Sequence, residues 1–124
     1  MAVTTNNTNS YAGIIEYSWT GDTTDDMNVS ISAIGAHLQV VQISFNLVGT
    51  GTETMTATIN HADGGDSDAL DTEYFAQDMS GQSEVLQRWA NDAGIYIPKG
   101  SATDFAWTNT EELVWGLSVL VRNE

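Results

Sequence analysis

A chain of 124 residues has the length of one domain and can bury about two-thirds of its unfolded surface, so it needs no metal or disulfide to fold. It has no Cys, which excludes a disulfide framework and a thiolate metal site. Its 17 Asp+Glu against 3 Lys+Arg give a formal charge of -14, a field that repels nucleic-acid phosphates and anionic membranes and leaves basic, neutral or cation-bridged partners.

The chain opens on a polar stretch. Met1 to Ser10 is mostly Thr, Asn and Ser, with Met1, Ala2 and Val3 its only apolar residues. Such a segment is expected to be a flexible arm over 1–10 that orders against a neighbouring chain, ahead of a single domain over 11–124. It lacks the basic and apolar regions of a signal peptide, so none is expected. No apolar run reaches the roughly 18–20 residues that span a bilayer.

Period-2 alternation then takes over. Ile15, Tyr17 and Trp19 alternate with Glu16 and Ser18, a strand closed by Gly21-Asp22. Met27, Val29, Ile31 and Ala33 make a second strand, broken by Gly35. A longer run follows through Leu38, Val40, Val41, Ile43, Phe45 and Leu47. Its in-out pattern slips by one residue at Val40-Val41, which predicts a β-bulge or a crossing between sheets.

After the turn at Gly49-Thr50-Gly51, Met55, Ala57 and Ile59 alternate with Thr54, Thr56 and Thr58. His61 to Asp71 is polar, acidic and Gly-containing, a surface loop. Leu70 to Gln77 recovers strand character, and Asp78-Met79-Ser80-Gly81 turns it. Glu84 to Trp89 alternates as a strand, although Val85, Leu86 and Trp89 also have helical spacing.

Pro98-Lys99-Gly100 is a turn, with Pro presetting φ for the second position and Gly accepting φ > 0 after it. Phe105 and Trp107 share one face of an extended chain, as do Leu113, Trp115, Leu117, Val119 and Val121. Two such runs around a polar Asn/Thr/Glu segment read as a β-hairpin at the centre of the core. The whole predicts an all-β protein, an antiparallel β-sandwich of jelly-roll type with eight or nine short strands.

Candidate chemistry is sparse. The loop carrying Asp63, Asp66, Asp68 and Asp71 has the oxygens a Ca²⁺ ion wants. It lacks the EF-hand spacing and the Gly-Gly-x-Gly-x-Asp repeat, so a solvated acidic loop is the favoured reading and no cofactor is expected. His37 and His61 fit strand ends without a function. Asp104 could couple with Asp78 or Glu84 as a glycosidase pair, but nothing in the spacing selects them. No Gly-x-Ser-x-Gly elbow, P-loop or His-Glu-x-x-His motif occurs, and no enzyme is expected.

Trp19, Trp107 and Trp115 fall on apolar faces and read as core. Trp89, with Arg88 and Tyr96 near it in sequence, reads as an exposed aromatic that could anchor an interface. Four Trp and four Tyr also raise a sugar-stacking role, which would make the chain a carbohydrate-binding module.

Four segments carry a resemblance. They are Tyr74-Phe75-Ala76-Gln77-Asp78-Met79-Ser80-Gly81, Ile97-Pro98-Lys99-Gly100, Asp104-Phe105-Ala106-Trp107-Thr108-Asn109-Thr110 and Trp115-Gly116-Leu117. Together they resemble small β-sandwich structural proteins of tailed-bacteriophage virions. The resemblance implies a non-enzymatic capsid decoration (cement) protein on the capsid exterior, with a tail or head-fibre component as the nearest variant. It further implies a homo-oligomer, a trimer in the favoured form, clamping the major capsid protein or another virion protein. The residues expected at such contacts are Met1, Ala2 and Val3 of the arm together with Arg88, Trp89 and Tyr96.

Overall fold

The computed structural model describes residues 4–5, 9–11, 13–61, 70–90 and 93–123. Their strands are β1 (Thr4–Thr5), β2 (Asn9–Tyr11), β3 (Ile14–Gly21), β4 (Met27–Ser32), β5 (Leu38–Leu47) and β6 (Thr54–Asn60). They continue with β7 (Thr72–Asp78), β8 (Glu84–Arg88), β9 (Ile95–Ile97), β10 (Ala102–Trp107) and β11 (Trp115–Asn123). The described fold is all-β; β3 to β8, β10 and β11 fall on segments that the sequence marks as strands, and β9 is an additional short strand. The segment over 84–88 is a strand rather than a short helix.

Two antiparallel sheets face each other. One has the order β1-β3-β11-β5-β8, with β2 also on β3 and β9 also on β5; the other runs β4-β10-β6-β7. The chain changes sheet between β3 and β4, β4 and β5, β5 and β6, β7 and β8, β9 and β10, and β10 and β11. This is the jelly-roll connectivity, in which two Greek keys bring strands distant in sequence side by side.

The inward faces interlock at the centre. Phe45 of β5 meets the edge of Trp107 at 5.2 Å, and Phe105 lies 6.3 Å from Trp19. Met55, Ala57, Ile43, Val119 and Val121 are fully buried around them. The outer faces are small and polar, as the Thr54, Thr56 and Thr58 row shows.

The slip at Val40-Val41 is a bulge. Leu120 pairs with Gln42 and Val121 with Val40, so β11 skips Val41, and both valines are buried.

Three expectations change. First, β10 and β11 are not a hairpin: they lie in opposite sheets, joined by an arch over 108–114. Each strand has one apolar face, and stacking those faces across the roughly 10 Å between sheets buries both. Second, Pro98 holds the first position of its turn, because the Ser101 N–H donates to the Pro98 carbonyl at 2.9 Å. Gly100 then takes the third position, at φ 92°.

Third, the described part of the arm pairs within its own chain. Thr4 and Thr5 pair with Thr20 and Trp19, and Asn9 to Tyr11 pair with Glu16 to Ile14, along the edge of β3 that β11 leaves open. A backbone ladder needs no apolar side chains, which is why a Thr/Asn segment can join it. Met1, Ala2 and Val3 lie outside the described residues.

Candidate functional site

One end of the sandwich is built from the β4–β5 loop and the β9–β10 turn. Ala33 N–H donates to the Ser101 carbonyl at 2.9 Å, and Gly100 N–H returns a bond to the Ala33 carbonyl at 2.8 Å. Gly35, at φ 77°, lets the loop turn back after this clamp. His37 follows, its Nδ1 accepting the Lys99 N–H at 2.8 Å and its ring 5.1 Å from the Tyr96 ring. A neutral His37 in this contact carries its proton on Nε2.

The clamp leaves large apolar groups in water. Ile34 is 87 % exposed and Tyr96 49 % exposed. Lys99, one of the chain's 3 Lys+Arg, is exposed as well, three residues after Tyr96 and joined through its N–H to His37. The loop and turn of this end thus carry an exposed aliphatic, an exposed aromatic and an exposed cation on an otherwise acidic molecule.

The residues singled out in the sequence do not all converge here. Tyr96 and Arg88 do share the outer face along one edge of β5, pairing with Gln39 and Gln42. Arg88 is exposed, its Nε donating to Gln42 Oε1 at 2.9 Å. Trp89 is not the exposed anchor. It is half-buried, 6.1 Å from Tyr74 and edge-on to Phe75 at 6.3 Å. It fills the gap between the edge strands β7 and β8, because the open side of a sandwich needs apolar cover and the β8 chain ends there.

Of the acidic-loop candidates, Asp71 is described and already engaged. Its Oδ1 accepts the His61 N–H at 2.9 Å and closes the mouth of the loop. Asp63, Asp66 and Asp68 lie outside the described residues. Among the described residues no three His, Asp or Glu side chains group as metal ligands.

The supposed carboxylate couple is not assembled. Asp104 accepts from Ser30 Oγ at 2.6 Å and from Asn60 Nδ2 at 3.2 Å on the outer face of the four-stranded sheet. Asp78 accepts the Ser80 N–H at 2.9 Å, and that bond holds its carboxyl below the usual range. Glu84 belongs to the other sheet.

Two features escaped the sequence. Tyr74 of β7 reaches over β6 within the four-stranded sheet so that its hydroxyl bonds Thr103 Oγ1 of β10 at 2.6 Å, and burial raises its phenol well above the ordinary value. At the opposite end, Asn109 is buried and bonds both the β3–β4 loop and Leu113. A single Asn in a polar segment carries no pattern that separates it from an ordinary loop residue.

No protein-family model matches this chain, and no curated protein matches it. Among solved structures it is similar to Drosophila NLP-core, described for its pentamer formation and histone binding, at 11 % identity and TM-score 0.47, covering 88 % of this chain and 97 % of that one. It is also similar to the CBM22-1 xylan-binding domain of Paenibacillus barcinonensis Xyn10C, at 14 % identity and TM-score 0.47, covering 98 % and 80 %. The Schizosaccharomyces pombe Cnp3 cupin domain matches at 8 % identity and TM-score 0.41, covering 98 % of this chain and 64 % of that one. At these identities and scores the likeness says nothing of function.

Proposed function

We propose that this chain is a non-catalytic virion structural protein, a capsid decoration protein that docks on the outside of a phage head and associates with further copies of itself. The observation that carries the reading is the exposure of Ile34, Tyr96 and Lys99 on the loop and turn at one end of the jelly roll, which we read as a docking patch. The resemblance over roughly Tyr74 to Val121 supplies the virion context. The charge of -14 favours an outer shell surface over one that faces packaged DNA.

The test is co-sedimentation with capsids of the phage that encodes the chain, using wild type and the double substitution Ile34→Glu with Tyr96→Ala. We expect wild type to pellet with capsids and the variant to stay in the supernatant while keeping its melting temperature. Wild type that ignores capsids but is retained on a polysaccharide column would replace this reading with that of a carbohydrate-binding module. That replacement would need a stacking surface other than Trp19, Trp107 and Trp115, which are 5 %, 3 % and 2 % exposed.

A further inference from the structure

We infer that β8 is a self-complementary edge, built to pair antiparallel with β8 of a second copy about a two-fold axis at Leu86. This contact is separate from the patch at Ile34 and does not depend on attachment to a capsid.

The inference starts from the ladder. Among the described residues β8 pairs with β5 alone. Ser83 gives its carbonyl to the Leu47 N–H, and Trp89 gives its N–H to the Val41 carbonyl. In an antiparallel ladder these groups alternate, so the odd-numbered residues bond β5 and Glu84, Leu86 and Arg88 direct their backbone groups to the open edge. Gln87 Nε2 rests on the Arg88 carbonyl at 3.3 Å, a long bond that an incoming strand can displace.

Side chains agree with the backbone. Placing Leu86 opposite its own copy sets Glu84 opposite the partner's Arg88, and Arg88 opposite the partner's Glu84. All three positions are then hydrogen-bonded pairs on one face, so one register satisfies the open backbone groups and matches both charges. Leu86 is 58 % exposed, a large aliphatic at the centre of an edge strand, where it meets an identical residue across the axis. Arg88 spends only its Nε on Gln42, which leaves the rest of its guanidinium to reach a carboxylate.

The other edge strands lack this match. β7 carries Glu73 and Asp78 with no cation, and β4 carries no charge. A contact with the same patch on both copies closes as a two-fold dimer. It is thus a different association step from the three-fold one that the resemblance implies.

The full chain should be studied by sedimentation equilibrium across micromolar to millimolar concentration. An ionic strength of about 0.15 M, where the Debye length is about 8 Å, damps repulsion between the two acidic molecules. We expect a monomer–dimer equilibrium. Arg88→Glu should weaken it at least tenfold. Glu84→Arg should weaken it as well, although the less negative chain would repel itself less. The double swap Glu84→Arg with Arg88→Glu restores the pairing and should recover the dimer.

Because the chain has no Cys, Leu86→Cys introduces the only thiol. Paired residues of this kind sit about 5.5 Å apart at Cα, within disulfide range. Leu86→Cys should cross-link under mild oxidant at least tenfold faster than Ile34→Cys, an exposed control. Equal cross-linking rates, an assembly indifferent to Arg88→Glu, or a double swap that fails to recover it would each overturn the register proposed. Unchanged far-UV circular dichroism separates these outcomes from misfolding.

Discussion

Asn109 holds Leu113 with both ends of its amide. Its Oδ1 accepts the Leu113 N–H at 2.9 Å, and its Nδ2 donates to the Leu113 carbonyl at 2.8 Å. The same Nδ2 faces the carbonyls of Asp25, Thr23 and Asp22 at 3.1, 3.2 and 3.3 Å. Two amide hydrogens are thus shared among four acceptors, which ties the β10–β11 arch to the β3–β4 loop. Asn109 N–H completes the tie by donating to Asp26 Oδ1 at 2.8 Å.

Removing this amide should be costly. We expect Asn109→Ala to lower stability by about 2–4 kcal/mol, since buried carbonyls lose their donor. Asn109→Asp should be worse, because it sets a carboxylate among those carbonyls. Urea denaturation measures both; a loss under about 1 kcal/mol for either would show that water replaces the amide freely.

Trp115 is the second fixed point of this end, with its Nε1 donating to the Asp25 carbonyl at 2.9 Å and 2 % of its surface exposed. Trp115→Ala should cost about 3–5 kcal/mol. Gly21 pairs with Trp115 across the ladder, and a Cβ there would come within 2.0 Å of the indole. Gly21→Ala should therefore cost about 1–3 kcal/mol through overpacking. Thermal melts of the two variants decide this, and a Gly21→Ala protein as stable as wild type would refute the close approach.

Tyr74 gives a prediction in pH. Burial favours its neutral phenol, so the folded chain holds the proton more tightly than the unfolded chain does. The associated stability is fully present below the unfolded value of about 10 and is lost as pH rises above it, at about 1.4 kcal/mol per unit. Tyr74→Phe should flatten the stability loss between about pH 10 and 11 relative to wild type. Parallel losses in chemical-denaturation series at the two pH values would contradict the burial of this hydroxyl.

The acidic loop should owe its closure to Asp71 rather than to a cation. Asp71→Ala, which frees the His61 N–H, should lower stability by about 0.5–1.5 kcal/mol. Millimolar Ca²⁺ should leave the melting temperature unchanged. A rise with Ca²⁺ that disappears in the double substitution Asp66→Asn and Asp68→Asn would make the loop a cation site.

The strands were legible before the structure because burial on one face imposes period 2. Ile15-Tyr17-Trp19, Met55-Ala57-Ile59 and Trp115 to Val121 each announce a face, and the slip at Val40-Val41 announces the bulge. Trp19, Trp107 and Trp115 were placed in the core for the same reason. What alternation does not contain is the neighbour. An inward face satisfies either sheet equally, so only the folded chain decided that β10 pairs β4 and β6 while β11 pairs β3 and β5.

The same limit hid the sites. Trp89 became a plug because β7 and β8 border the same gap, and Tyr96 became exposed because β9 turns it outward. Asn109 was a loop residue in sequence and a buried clamp in space, since its four carbonyl partners come from two segments that local pattern never joins. Local chemistry therefore fixed which side chains avoid water, and the long-range pairing of backbone edges fixed which of them meet.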